Sequence, residues 1–87
     1  MQDKLKLTKA AETAPQFIAT GTDVFCRGLA VGFSTQDAAF ECARKAMANG
    51  TSAAVWQVVR KSGKSYQCKQ ITLLLWDSGD VVVHNLA

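Results

Sequence analysis

Apolar positions alternate with period two over most of this chain and follow the helical period only once. Residues 4–9 set Leu5 and Leu7 against Lys4, Lys6 and Thr8, which predicts a short strand whose lysines suit a sheet edge. Residues 10–16 contain the only proline, Pro15, and read as a loop, with one helical turn over 9–14 as the alternative. A β-prone run over 17–20 is closed by the turn signal Gly21-Thr22-Asp23. Residues 24–33 then alternate in size. Phe25, Arg27, Leu29, Val31 and Phe33 are large, whereas Val24, Cys26, Gly28, Ala30 and Gly32 are mostly small. A strand with one small face invites a close neighbour there, and the segment that follows is the expected one.

That segment is the single helical pattern. Ser34 is placed as its cap, with Asp37 three residues on in a capping-box-like arrangement. Over residues 35–49, Ala39, Phe40, Ala43, Ala46 and Met47 recur at helical spacing with Cys42 beside them. Gln36, Asp37, Glu41, Arg44 and Lys45 fall mostly opposite. Asn49-Gly50 is the expected stop, since both residues tolerate the left-handed conformation.

Three strands are predicted after the helix. Residues 53–60 carry Trp56 and Val58 on one parity and Val55 and Val59 on the other. Lys61-Ser62-Gly63-Lys64 is a hairpin turn. Residues 65–76 form a long strand whose apolar parity changes, from even at Tyr66 and Cys68 to odd at Ile71, Leu73 and Leu75. A strand cannot keep one face buried through such a change without an inserted residue, so a bulge is expected near Lys69-Gln70. Asp77-Ser78-Gly79-Asp80 is a second tight turn, and residues 81–85 are the last strand. The pattern gives an α+β fold. One domain spans 1–87, with a single antiparallel sheet of four or five strands, one helix at 35–49 packed on one face, and a C-terminal β-meander. Trp56 is expected beneath the helix with Phe40, Ala43 and Met47.

Composition narrows the class without naming a function. Eighty-seven residues make one small domain, and a 48% hydrophobic content is that of a globular chain. Net charge is +3, a mild basic bias. No signal-like or membrane-length apolar run occurs, and three widely spaced cysteines, Cys26, Cys42 and Cys68, suit reduced thiols. A cytoplasmic location is expected. No CxxC or HxxxH pair provides a metal site. No GxSxG elbow or phosphate-binding glycine loop is present, and His84 is the only histidine. The carboxylates fall in turns, at the helix cap or on its polar face. No catalytic residue, metal or cofactor is assigned, and the chain reads as a non-enzyme.

Two features rise above this background. Arg60, Lys61, Lys64 and Lys69 surround one hairpin with Tyr66 among them. Such a group can track phosphates and stack a base, with Arg44 and Lys45 as flanking contacts, although hairpin tips are commonly lysine-rich for solvation alone. The second feature is surplus apolar surface. One helix covers one face of a sheet, yet Val55 and Val59 oppose Trp56 and Val58, and Val81 and Val83 oppose Val82. Unless the N-terminal segment folds over the second face, some of this surface, Trp76 included, is left for an interface.

The stretch 32–60, with its Ser34-Thr35-Gln36-Asp37 cap, Ala-rich helix ending Ala48-Asn49-Gly50, and following strand, resembles the strand–helix–strand layout of small phage- and mobile-element-encoded proteins. Anti-CRISPR and other host-takeover inhibitors are similar in size and layout. The resemblance covers about a third of the chain and carries over no functional residue. It implies a stoichiometric inhibitor that occludes a host protein surface. The expected function is therefore a non-catalytic protein-binding module, either such an inhibitor or a homodimeric accessory protein. The alternative is nucleic-acid binding through the basic hairpin. The expected contact residues are Arg60, Lys61, Lys64, Tyr66, Lys69 and Trp76, with no membrane and no small-molecule cofactor.

Overall fold

The computed structural model describes residues 2–7, 14–22, 29–47 and 52–86. Its elements run β1 (Gln2–Leu5), β2 (Phe17–Thr22), β3 (Leu29–Phe33), α1 (Gln36–Ala46), β4 (Ser52–Ser62), β5 (Ser65–Asp77) and β6 (Asp80–Asn85). All six strands form one antiparallel sheet in the order β1-β5-β4-β2-β3, with β6 also on β5. Both β1 and β6 use the edge of β5 that β4 leaves free. β1 pairs with 66–69 and β6 with 72–77, so the two run collinear along one long strand. The fold is the α+β domain with a C-terminal meander that the pattern predicts, with six strands.

The sequence signals act locally as expected at several points. Both tight turns close where glycine allows positive φ, at Gly63 (62°) and at Ser78-Gly79 (52° and 86°). The bulge falls beside the expected position. Val55 pairs with Thr72 but Trp56 with Gln70, leaving Ile71 as the extra residue. Tyr66, Cys68 and Leu73 therefore pack into one cluster despite their change of parity. A second irregularity between Val58 and Arg60 leaves Val59 exposed.

The helix departs from its expected bounds. Its cap is Thr35, whose hydroxyl accepts the Ala38 N–H at 3.2 Å. The first intrahelical bond also starts at Thr35, from the Ala39 N–H to the Thr35 carbonyl. Ala38 therefore sits where a capping box needs a long polar side chain, and Ser34 lies outside the helix. The helix ends at Ala46, because Met47 turns extended with φ −72° and ψ 117°. The expected stop at Asn49-Gly50 lies outside the described residues, as do Cys26, residues 24–28 of the predicted third strand, and most of the 10–16 loop. Gly21 and Thr22, expected in a turn, continue β2 in register with Ala53 and Ser52.

The two core clusters reverse the expected faces. Beneath the helix lie Ala19, Ala53, Val55, Ile71 and Leu74, packed on Ala39 and Ala43, with Phe17, Phe33, Phe40, Cys42 and Met47 at the margin. Trp56 belongs to the other face, with Ile18, Ala30, Ala54 and Cys68. It is nonetheless buried, and its indole N–H donates to Thr20 Oγ1 at 2.9 Å. The physical reason is complementarity of size. The buried helix stripe is alanine, and on β3 it meets the large side, Phe33, with Val55 beside it. The small face of β3 instead admits the N-terminal segment. A Cβ built on Gly32 would lie 2.6 Å from Pro15 Cβ and 3.5 Å from Leu7 Cδ1. Leu7 follows β1 at one end of the strand order and Gly32 lies on β3 at the other, so the sheet curls until its ends approach. This curl, with Leu5, Leu7 and Pro15, covers the face the helix does not.

Candidate functional site

β5 runs the length of the molecule and carries a different surface at each end. At the β4–β5 turn the surface is basic. Residues 2–7 and 57–69 hold Lys4, Lys6, Arg60, Lys61, Lys64 and Lys69 against one acid, Asp3. These segments thus carry net +5 while the whole chain carries +3, so the remainder is net −2. Register divides the cations between faces. Lys4 and Arg60 both lie opposite Gln67, and Lys69 lies opposite Gln57, on the helix side. Arg60 Nε donates to Gln67 Oε1 at 2.8 Å, which holds the guanidinium against the sheet. Lys61 lies opposite Tyr66 on the other face, its Nζ 5.9 Å from the ring centroid. Lys64 is exposed in the turn. The five basic-hairpin residues singled out by sequence thus do not form one patch: Arg60 and Lys69 share a face, and Lys61 and Tyr66 share the opposite one.

Trp76 stands at the far end of β5, on the β5–β6 hairpin. There the surface is apolar. Leu75, Trp76 and Val83 are 37%, 38% and 42% exposed. Trp76 pairs with Val81 and Leu74 with Val83 on the helix side; Leu75 pairs with Val82 on the other. β6 pairs only with β5, so its outer edge meets no strand among the described residues. Leu75 and this open edge were not singled out from sequence, and Val83 was read only as part of the surplus apolar surface. The available signal was the run Val81-Val82-Val83, apolar on both parities and free of the lysine or proline that protects an edge strand.

The helix-side face also holds a cleft of about 490 Å³ lined by Phe17, Gln36, Gln57, Ile71, Thr72 and Asn85. Among the described residues its polar groups are amides and one hydroxyl, with no ionisable side chain to move a proton. A smaller apolar pocket of about 190 Å³ lies on the opposite face beside Trp56 and Leu73. Cys42 and Cys68 are placed for packing. Cys68 is fully buried, its thiol pushed up to about 11 by burial, and its Sγ lies 3.4 Å from the Tyr66 carbonyl. Burial also raises Cys42, with nearby Lys45 partly opposing it. Neither thiol is activated as a nucleophile. His84 is exposed in β6 opposite Leu73. Among the described residues no group of three or more His, Cys, Asp or Glu side chains could hold a metal ion. No helix among them is long and apolar enough to cross a membrane. No known protein family, curated protein or solved structure matches the chain.

Proposed function

We propose that this protein is a non-catalytic protein-binding module that engages its partner through the β5–β6 hairpin. The observation that carries the reading is the exposure of Trp76 and Val83 on the helix side and of Leu75 on the other, along a strand edge that meets no strand among the described residues. Exposed apolar surface and unpaired backbone are each a cost to an isolated domain, and a protein partner removes both together. Trp76 is the natural anchor, since a tryptophan brings large area at little entropic cost. The likeness in layout to phage-type inhibitors supports a partner inside the host cytoplasm, bound stoichiometrically and blocked by occlusion.

Capture from host lysate on the immobilised intact chain tests this, run beside a Trp76→Ala/Val83→Ala variant. A partner recovered at one-to-one ratio by the parent and lost by the variant supports the reading. Equal recovery on both moves the contact elsewhere.

The charge asymmetry supports a second reading, nucleic-acid binding at the basic end. On this reading phosphates lie on Lys4, Arg60 and Lys69, the cations that share the helix-side face. Affinity then falls with salt, and Arg60→Glu or Lys69→Glu each lowers the salt slope by about 1. Lys61→Glu, on the other face, does less. Absence of any shift with single- or double-stranded oligonucleotides at low salt ends this reading.

A further inference from the structure

The hydrogen-bonding pattern of the β5–β6 hairpin fixes which backbone groups of β6 are not used by β5. The two-residue turn Ser78-Gly79 makes Asp77 and Asp80 the closing pair, and in such turns that pair exchanges both bonds. Bonded pairs then recur every second residue, at Leu75 with Val82 and at Leu73 with His84. The Leu86 N–H bond to the Ile71 carbonyl at 2.9 Å continues the series. The N–H and C=O groups of Val81, Val83 and Asn85 therefore point away from β5. The contrast with β1 is informative. That edge carries exposed Lys4 and Lys6, the usual protection against pairing, whereas β6 reads Asp-Val-Val-Val-His-Asn and has none.

We infer that β6 pairs antiparallel with β6 of a second copy of this chain, with Val82 facing Val82 across a two-fold axis. The inference rests on the reading of the β5–β6 hairpin as a protein interface, and it seats a second copy there in place of a host protein. A two-fold antiparallel pair must set outward-bonding residues opposite one another, which restricts the register to pairs of odd residues. Centring on Val82 places Val81 opposite Val83 of the second copy, so both pairs of backbone bonds form. The side chains then match row by row. On the helix side, Leu74 and Val83 continue into Val81 and Trp76 of the second copy, twice by symmetry. On the other face, Leu75 and Val82 continue into Val82 and Leu75. At each end Asp80 meets His84 of the second copy, a carboxylate facing an imidazole N–H. The alternative centred on Val83 sets Asp80 against Leu86 and Val82 against His84, burying a carboxylate beside an alkyl group. Charge and apolar complementarity both select the first register. An isologous contact of this kind uses one patch twice and closes at two subunits.

Cysteine cross-linking reads the register directly. Val82→Cys places two thiols at a non-bonded pair with Cα atoms about 4.5 Å apart, inside the range a disulfide spans. Val83→Cys places its thiols on a diagonal, about 9 Å between Cα atoms from strand spacing and rise, too far to bridge. With dissolved oxygen as oxidant, Val82→Cys should give a disulfide dimer on non-reducing gels and Val83→Cys only the background of the parent. Val83→Pro supplies the complementary test. It removes an N–H that β5 does not use, so circular dichroism should stay that of the parent while light scattering at high micromolar concentration falls from dimer mass to monomer mass. A parent that is monomeric in light scattering, or equal or faster cross-linking by Val83→Cys, overturns the inference. A monomer that still captures a partner lost on Trp76→Ala refutes the second copy but leaves the protein-binding reading. A monomer whose partner binding ignores Trp76 refutes both.

Discussion

Gly32→Ala should destabilise the protein, although strand propensity argues the reverse. Gly32 has no left-handed φ, so alanine fits the backbone there. By restricting the unfolded chain, the substitution taken alone would stabilise by about 0.4–1 kcal/mol. The new methyl, however, would sit 2.6 Å from Pro15 Cβ and 3.0 Å from Pro15 Cγ. Both atoms belong to a rigid ring on a buried residue, and the methyl has no room to turn away. Overpacking of this kind costs about 1–3 kcal/mol. The net loss should be about 1–2 kcal/mol, or roughly 5–15 °C in melting temperature for a domain of this size. Chemical denaturation followed by circular dichroism measures it. The decisive comparison is the same substitution in a Pro15→Gly background, where the obstructing ring is gone and the cost should fall by at least half. Stabilisation by Gly32→Ala, or equal cost in both backgrounds, would refute the close approach of the N-terminal segment to β3, and with it the curled sheet.

Other expectations follow from single contacts. Acrylamide should quench Trp76 and spare Trp56 in the native protein, so a Trp76→Phe variant should show low quenching and Trp56→Phe high quenching. Loss of the Trp56 bond to Thr20 should appear as a coupling of about 0.5–1.5 kcal/mol in a Trp56→Phe, Thr20→Val double-mutant cycle; additive effects would mean the bond contributes nothing. Leu74→Ala, fully buried beneath the helix, should cost about 2–5 kcal/mol in denaturant titration, and Thr35→Ala about 1 kcal/mol through the lost cap, whereas Ser34→Ala should cost little. The Cys68 thiol is raised from 9.0 to about 11 by burial. The folded state thus holds its proton where the unfolded state has lost it. Its stabilising effect is complete below pH 9, declines above it, and is lost through pH 11, about 2–3 kcal/mol in all. Stability measured from pH 8 to 11 should fall less steeply in Cys68→Ala than in the parent.

What could be read from sequence was what neighbouring residues decide among themselves. The parity change between Cys68 and Ile71 required an inserted residue, because no continuous strand keeps Tyr66, Cys68 and Leu73 on one side. Gly63 and Gly79 marked turns because few other residues accept their φ. The assignment of faces failed for a different reason. Alternation in 24–33 shows that one face is small, but a small face accepts either an alanine-lined helix or a proline-bearing segment. Trp56 shows the same limit, since its size suits any core and the hydroxyl of Thr20 that satisfies its N–H lies 36 residues away. Strand order was equally illegible, as nothing in residues 2–5 states that they lie beside 66–69. At the candidate site, charge marked the basic hairpin but could not divide Arg60 and Lys69 from Lys61 and Tyr66, because the irregularity at Val59 decides their faces. Trp76 was found as an exposed aromatic. Val83 became meaningful only once β6 proved to be an edge.

The collinear seating of β1 and β6 on β5 implies an order of assembly. β4, β5 and β6 are joined by two-residue turns and close their loops cheaply, whereas β1 reaches β5 only after some 60 intervening residues have been ordered. Contacts of such long sequence separation are costly to form early in folding. β1 should therefore dock after the barrier. Leu5→Ala is expected to accelerate unfolding with little change in the folding rate, a φ-value near zero, and Leu74→Ala to slow folding. Until β1 arrives, the outer edge of Tyr66–Lys69 is bare while that of 72–77 is already occupied by β6. The lysines around that interval, Lys64 and Lys69 on β5's own hairpin, then repel another chain at the stage when the edge is open, and the lysines of β1 take over that role once it docks.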